Sequence, residues 1–465
     1  MERRLDLGRP LRVAVISKAD RFGGGASLIA EQLVLSLSAV GHTAHHWVAW
    51  WGDSLRPHMR SVYGIRFRKA FFAAHRLVGK LGLQEIVPWE YAILRRHLQD
   101  YDVAHFHDIC SVISPLTVAL VARWMPTVWT FHDCSPFTGG CLYPMDCTKF
   151  HRRCGGCPQL GQWPLDGGVH RRLGLRLDFT GVAQAAKRWV ARHKRLVAVT
   201  PSHWMAGEAM KSGMFSVRPT VIPNWVDMDV FRPGHRPSLR RELGLPEDAF
   251  LAFLSSGNLG DKRKGVEFGI ASVRRCGRPV GLVLVGNEDP AITRLAQGIT
   301  TYPTGYLGDR SRLAQYVAAC DVALSPTFAD NLPCSIMEAM ACGTPTIGFR
   351  TGGVPDLIEH EVNGWLAVPG DVAGLVEGLQ LCFDRPEVRT AWAEAGCRFT
   401  AERYHRDVFL RAHLELYEGL LKRGAGELSP FAPRKSRTLL SRSERRQTRP
   451  RIAGAISCDA DLAKN

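Results

Sequence analysis

Apolar positions in this chain come as short continuous runs set between amphipathic stretches. Leu11 to Ser17 (LRVAVIS) is the first such run. A run of that length, bounded by polar residues, predicts a strand buried on both faces of a parallel sheet. A glycine turn follows, Phe22-Gly23-Gly24-Gly25-Ala26-Ser27. After it, the amphipathic stretch Leu28 to Ala39 predicts a helix stopped by Gly41. Further strands are expected at Asp102–His107, Thr127–Phe131 and Leu196–Thr200. Strand–helix alternation of this kind marks a doubly wound α/β sheet.

The pattern then restarts. Val221-Ile222-Pro223-Asn224-Trp225-Val226-Asp227, leading to Phe231-Arg232-Pro233, reads as the entrance to a second domain. New strands are expected at Phe250–Ser255, Gly281–Val285, Asp321–Ser325 and Thr346–Phe349. Two such domains facing each other leave a cleft at the carboxyl ends of their strands. Tyr404 to Leu421 carries a helical pattern. The expected division is a first domain over 1–220 with a Cys-rich loop at 134–160, a second over 221–402, a last helix over 403–421 and a tail over 422–465. Between Arg434 and Arg451 the tail holds eight Arg/Lys and one acidic residue, Glu444, with no apolar period. It reads as disordered. Its role is either none or an electrostatic tether, at roughly 1 kcal/mol per basic residue near an anionic membrane. Clustered Arg, His, Trp and Phe between Trp47 and Glu90 read as an acceptor- or membrane-facing region, or as buried aromatics.

Composition narrows the class. A 465-residue chain with 45% hydrophobic and 22% charged residues fits a globular protein of two to three domains. No apolar run approaches the roughly 20 residues that span a bilayer. The start, Met1-Glu-Arg-Arg-Leu-Asp, lacks the apolar core of a signal peptide. The expectation is a cytoplasmic protein, peripheral on the membrane face if the tail tethers it. Its 13 cysteines then argue against a disulfide framework. The net charge of +16 suits phosphorylated substrates or an anionic surface. Nucleic acid is set aside, because no zinc-finger, helix-turn-helix or RNA-recognition pattern accompanies the charge.

The candidate chemistry concentrates in Phe328 to Glu359, FADNLPCSIMEAMACGTPTIGFRTGGVPDLIE. Asp330 sits in a polar turn. Pro333 suits the first turn of a helix, and Gly343 the left-handed position past its end. Ile336, Met337, Met340 and Ala341 give that helix an apolar face, and Glu338 lies on it. Free N–H groups near Leu332 favour a phosphate, and carboxylates accept hydrogen bonds from sugar hydroxyls. The alternative is an ordinary helix–strand unit with a solvated Glu. Further back, Ser255 to Gly265 (SSGNLGDKRKG) sets Lys262, Arg263 and Lys264 beside glycines after a strand. Fixed cations there would stabilise the charge gained by a departing diphosphate. Backbone without Cβ atoms at Gly24 and Gly25 can approach a ligand closely. His132-Asp133 and His107-Asp108 both end strands, where ligand-facing groups belong.

The Phe328–Glu359 stretch resembles the donor-binding signature of family 4 glycosyltransferases, retaining enzymes of the GT-B fold. That signature is Glu, seven residues, Glu, then Ala-Cys-Gly-x-Pro and a Gly-Gly turn. Here Asp330, seven residues and Glu338 precede Ala341-Cys342-Gly343-Thr344-Pro345 and Gly352-Gly353. The resemblance implies two Rossmann-like domains facing across a cleft, with the last helix crossing back to the first. It implies that Glu338 holds the donor ribose, while Asp330 and Gly353 lie near the donor sugar. Asp330 stands where the signature has Glu, shorter by about 1.5 Å, so the sugar sits closer or the contact weakens. Thr130-Phe131-His132-Asp133 resembles the family's Thr-x-His-Asp, which implies an active-site role for His132. Gly24 and Gly25 resemble the loop beside sugar and diphosphate. Lys264-Gly265 matches the family's Lys-Gly pair. Gly257-Asn258 stands where a Gly-Arg is usual, which leaves Arg263 to substitute. Pro223-Asn224-Trp225-Val226-Asp227 matches a hinge motif, and Ser202 a structural serine.

Cys141, Cys147, Cys154 and Cys157 form C-x5-C-x6-C-x2-C, a spacing that suits structural zinc or plain free thiols. Such a loop directly after the His-Asp motif resembles the colanic acid and exopolysaccharide subgroup. The implied function is retaining transfer of a sugar from a nucleotide-diphosphate donor to a glycan, lipid-linked acceptor in cell-surface polysaccharide assembly, with no catalytic metal. A GT-B sugar-nucleotide 2-epimerase and a degenerate nucleotide-sugar-binding subunit are the alternatives.

Overall fold

The computed structural model describes residues 9–64, 68–80, 83, 85–165 and 177–424. The basic tail and its expected membrane contact lie outside the described residues.

Two parallel sheets carry the fold. The first contains β1 (Arg12–Ala19), β2 (Thr43–Trp50), β3 (Met59–Ser61), β4 (Val103–Phe106), β5 (Thr127–Thr130), β6 (Leu196–Thr200) and β7 (Thr220–Val221). Their order is β3-β2-β1-β4-β5-β6-β7. The second contains β8 (Phe250–Asn258), β9 (Val280–Asn287), β10 (Thr301–Gly305), β11 (Val322–Ser325), β12 (Thr346–Phe349) and β13 (Gly364–Ala367). Their order is β10-β9-β8-β11-β12-β13. The first-sheet strand Arg12–Ala19 shows why these segments are strands. Val13, Ala14, Val15 and Ile16 are all buried, as expected of a strand covered on both faces.

The strand orders position the site. In the first sheet the chain runs outward from β1 through β2 and β3, then returns to build β4 to β7 on the other side. The second sheet reverses in the same way between β8 and β11. A crevice opens outside the carboxyl ends of strands at such switch points, and ligands bind there. The glycine turn follows β1 and His107-Asp108 follows β4. Lys264 follows β8 and Asp330 follows β11.

The helix Arg406–Gly424 follows the second domain but packs on the first. Phe409, Leu410, Leu416, Tyr417 and Leu420 join one core with Leu11, Val13, Val15, Ile29 and Leu33. The Tyr417 hydroxyl meets His105 Nδ1 at 2.7 Å. Among the described residues, no helix is long and apolar enough to cross a membrane.

The cluster from Trp47 to Glu90 is divided where it is described: Trp47, Tyr63, His75 and Glu90 are buried, Trp50, Trp51, Arg56 and Trp89 are half-buried, and Arg60 and Leu77 are exposed. Ile16 on β1 pairs with Trp47 on β2, and both residues join the first core. Tyr63 is buried and stacks on Phe71, with centroids 5.0 Å apart. Glu90 is buried and accepts from Thr117 Oγ1 at 3.0 Å.

Candidate active site

On the second-domain side, Glu338 lies on the helix Cys334–Ala341, whose N-cap is Pro333. Gly343 takes φ +71° just past its end. Glu338 is buried, and its Oε1 accepts from Arg310 Nη2 at 3.1 Å. Burial pushes the carboxyl up from its ordinary value, and the Arg310 charge and hydrogen bond oppose it. Arg310 opens the helix Arg310–Ala319 and lies over the Phe231 ring at 4.8 Å. Sequence reasoning passed over Arg310. A signal was present, because a cation in the first helical turn is disfavoured by the helix dipole and calls for a partner.

Asp330 anchors the cations. Its Oδ2 is 2.5 Å from Lys264 Nζ and 3.5 Å from Arg263 Nη1. Burial pushes the Asp330 carboxyl up, but Lys264 and Arg263 together with two hydrogen bonds reverse this, and it lies below the usual range. Arg263 Nη1 also donates to Ala329 O at 2.7 Å. Arg263 Nη2 also pairs with Asp261 Oδ2 at 3.3 Å, so two cations and two carboxylates meet beside Asp330. Lys262 is 84% exposed with only a 3.6 Å contact to Glu267, which makes it a solvated turn residue. Asn258 shapes the turn, its Oδ1 accepting from Gly260 N at 3.0 Å. The Leu332 side chain is buried in the second core.

Asn331 joins the two domains, and sequence reasoning did not single it out. Its Nδ2 donates to Phe131 O and His132 O, each at 3.0 Å. Its Oδ1 accepts from Ser202 Oγ at 2.6 Å. Ser202, expected to be structural, also caps the helix His203–Lys211. Gly353 N donates to Asp330 O at 3.0 Å, which brings the Gly352-Gly353 turn against the same segment. At the hinge, Asp227 Oδ1 accepts from Asp229 N at 3.1 Å, and Val226 N donates to Tyr404 O at 3.0 Å. Asn224 is buried there.

On the first-domain side, His132 Nε2 meets His107 Nδ1 at 2.9 Å. Burial, then the Lys18 charge, holds the His132 imidazole well below its ordinary value. The ring is therefore neutral and can offer hydrogen bonds without carrying charge. His107, expected only to line the cleft, is the ring that fixes His132. Burial and then Asp108 raise the neighbouring Asp133 carboxyl to about 6. Asp108 pairs with Lys18 at 2.9 Å. Gly24 takes φ +106° at the N-cap of the helix Gly25–Ala39, and a Cβ built on Gly24 or Gly25 would meet nothing within 4 Å. This loop faces open space at the end of β1.

Among the described residues, no three His, Cys, Asp or Glu side chains gather as a metal would need. Cys141, Cys147, Cys154 and Cys157 are free thiols, and Cys141 is buried. The turn that the C-x2-C spacing predicted is organised by an ammonium. Lys149 Nζ donates to Gly155 O at 3.1 Å and to Gly156 O at 2.6 Å. The main chain of Cys154 is held by Gln184 and that of Cys157 by Asp178.

Two facing parallel sheets, each with polar groups at its switch point, define the GT-B architecture. The family described as Glycosyltransferase Family 4 matches residues 23–230, and that described as Glycosyl transferases group 1 matches residues 251–384. Together these matches support a family 4 glycosyltransferase. The D-inositol 3-phosphate glycosyltransferase of Saccharomonospora viridis is 31% identical over 217 residues, 43% of this chain and 49% of that protein. The N-acetyl-alpha-D-glucosaminyl L-malate synthase of Bacillus anthracis is 26% identical over 208 residues, 43% and 54% of the two chains. The chain thus spans about half the length of the curated relatives it matches. Among solved structures, sucrose-phosphate synthase from Thermosynechococcus elongatus superposes with TM-score 0.65 at 18% identity, covering 89% of this chain and 99% of that one. HepE of Anabaena in complex with UDP gives 0.62 at 18%, covering 88% and 100%. These likenesses show the fold.

Proposed function

We propose that the chain transfers a sugar from a nucleoside-diphosphate sugar to an acceptor held by the first domain, with retention of anomeric configuration. One observation carries this reading. Lys264 and Arg263 converge on Asp330, and the adjacent Asn331 ties that segment to the main chain of His132. The two cations, paired with Asp330 and Asp261, and a neutral imidazole stand in this reading on opposite walls of one cleft. In this reading the diphosphate meets Lys264, Arg263 and the main chain at Leu332, with Asn258 shaping the rim. Glu338 accepts from the ribose hydroxyls. Asp330, Gly353, Gly24 and Gly25 surround the sugar. The bond from C1 to the diphosphate breaks, the acceptor hydroxyl bonds to C1 on the same face, its proton passes to the departing diphosphate oxygen, and the cations stabilise the charge left on the diphosphate. Neutral His132 hydrogen-bonds to sugar or acceptor hydroxyls and orients them.

For the acceptor, the loop after His132-Asp133 favours a lipid-linked glycan of cell-surface polysaccharide assembly. A second reading is a small anion. It is favoured by the names of the relatives, which specify inositol 3-phosphate and L-malate, and by the net charge of +16.

A thermal-shift screen against nucleoside diphosphates and their sugars tests the donor half. At a hundredfold excess over Kd the bound nucleotide is expected to add about 2.7 kcal/mol of stability. Product analysis then separates the alternatives. Nucleotide released only with acceptor, and a glycoside of unchanged anomeric configuration, is the expected result. Isomerised donor without acceptor would identify an epimerase. Tight binding with no release under any acceptor would identify a binding subunit.

Glu338→Ala is expected to weaken nucleoside-diphosphate binding by roughly tenfold or more. A hydrogen bond to a charged group is worth about 1.5–3 kcal/mol, and Arg310 is left without its partner. Calorimetric titration measures this; an unchanged affinity would remove Glu338 from the donor site.

A further inference from the structure

The Cys-rich loop, assigned so far to the acceptor alone, also reaches the diphosphate end of the cleft through Tyr143. The Arg263 guanidinium lies 5.0 Å from the centroid of the Tyr143 ring. The same ring is nearly parallel to Trp204, with centroids 6.5 Å apart and planes at 19°. Main-chain bonds fix the ring's position on both sides. Cys134 N donates to Leu142 O at 2.8 Å, and Gln159 Nε2 donates to Tyr143 O at 2.8 Å. Tyr143 and Trp204 belong to the first domain and Arg263 to the second, so the stack crosses the cleft. The edge of Arg263 is directed elsewhere. Its Nη1 donates to Ala329 O at 2.7 Å and lies 3.5 Å from Asp330 Oδ2, beside Lys264, and its Nη2 donates to Asp261 Oδ2 at 3.3 Å.

We propose that Tyr143 is a positioning residue for the donor diphosphate, holding Arg263 by its face so that the guanidinium edge stands ready beside Lys264. The inference rests on the donor reading of this site. An aromatic face is well suited to the task. It attracts the cation through its face and leaves the guanidinium edge to its in-plane partners, Ala329 O, Asp330 and Asp261, beside which a phosphate oxygen would add. The contact also gives the loop a function that needs no metal. It lets the first domain set the geometry of a cation that the second domain supplies.

Calorimetric titration of the full chain with UDP, GDP and ADP first identifies the diphosphate that binds tightest. The variants Tyr143→Phe, Tyr143→Leu, Arg263→Gln and the double change Tyr143→Leu with Arg263→Gln are then titrated with it. Tyr143→Leu keeps bulk against Trp204 and removes the aromatic face. It is expected to weaken binding roughly three- to thirtyfold, while Tyr143→Phe stays within about twofold of wild type. The double variant is expected to bind no more weakly than Arg263→Gln alone, because Tyr143 acts through Arg263. Unchanged affinity in Tyr143→Leu, or losses that multiply in the double variant, would overturn the proposal. A wild-type chain that binds none of the three diphosphates would instead overturn the donor reading beneath it. Should Tyr143→Leu fail to fold, Tyr143→Phe and Tyr143→His carry the comparison, since the proposal orders their affinities by the strength of the aromatic face.

Discussion

Gly353→Ala is expected to disrupt the donor half of the site and to destabilise the fold by about 3 kcal/mol or more. A Cβ built on Gly353 stands 1.6 Å from Asn331 O, a main-chain atom that no rotamer change can move. Relief would pull the turn away from Asp330, whose carbonyl accepts from Gly353 N at 3.0 Å. Asn331 cannot follow, because its side chain is pinned to Phe131 O, His132 O and Ser202. The strain therefore falls on the segment that holds Asp330 between the two domains. A lowered urea midpoint together with lost nucleoside-diphosphate binding is the expected result. Gly25→Ala is the contrast. Its Cβ meets nothing within 4 Å, so stability is expected to stay within about 0.5 kcal/mol of wild type. A fall in donor affinity without a fall in stability would then mark Gly25 as ligand-facing. If Gly353→Ala unfolds at the same urea concentration as wild type, the close approach does not constrain the turn.

Local pattern made the central strands legible. β6 and β12 begin and end at the expected residues, Leu196–Thr200 and Thr346–Phe349. Each is a short β-branched run with a clear boundary. β2 escaped notice, because TAHHWVAW mixes histidines into a buried strand. Its His46 is tolerated inside only because Nε2 meets Ser17 Oγ at 2.7 Å, a pairing made by the sheet and invisible along the chain. The site divides in the same way. Asp330, Glu338, Lys264 and His132 belong to local motifs and could be named from them. Their partners Arg310, Asn331, His107 and Tyr143 are brought in by topology, from other strands or from the facing domain. The cysteine loop shows the same limit, because Lys149 could be seen to take the Gly155 and Gly156 carbonyls only once the loop's path was known.

Acidification below about pH 6.5 is expected to cost the protein stability steeply. His46, His105, His107 and His413 are buried, and half-buried His132 joins them against His107. Burial holds His46 down to about 3 and His413 down to about 4. It also lowers His105, His107 and His132. The folded values lie below the unfolded value near 6.5. The unfolded chain therefore binds more protons, and the stability present above pH 6.5 is lost as pH falls toward the folded values. Buried carboxyls act in the opposite direction. Burial raises Glu90 to about 7 and Asp133 to about 6, and it also raises Asp108 and Glu338. Five histidines against two to four such carboxyls leave a net uptake of one to three protons on unfolding. That corresponds to about 1.4–4 kcal/mol per pH unit between roughly pH 6 and pH 5, against a typical total of about 5–15. Urea midpoints at pH 7.5, 6.5 and 5.5 measure the slope, and His413→Leu is expected to reduce it by about one proton. A flat or inverted dependence would mean that the imidazoles are not held neutral. The same neutrality predicts a functional signature for His132. Wherever the fold persists, His132 is expected to contribute no acid limb to turnover near pH 6.5, because its ring has no proton to gain there. Asp133, raised to about 6, titrates beside it, so the profile is read in Asp133→Asn: an acid limb that persists there in fully folded protein and disappears in His132→Asn would make His132 a titrating group, and so a general acid or base in place of a neutral hydrogen-bonding one.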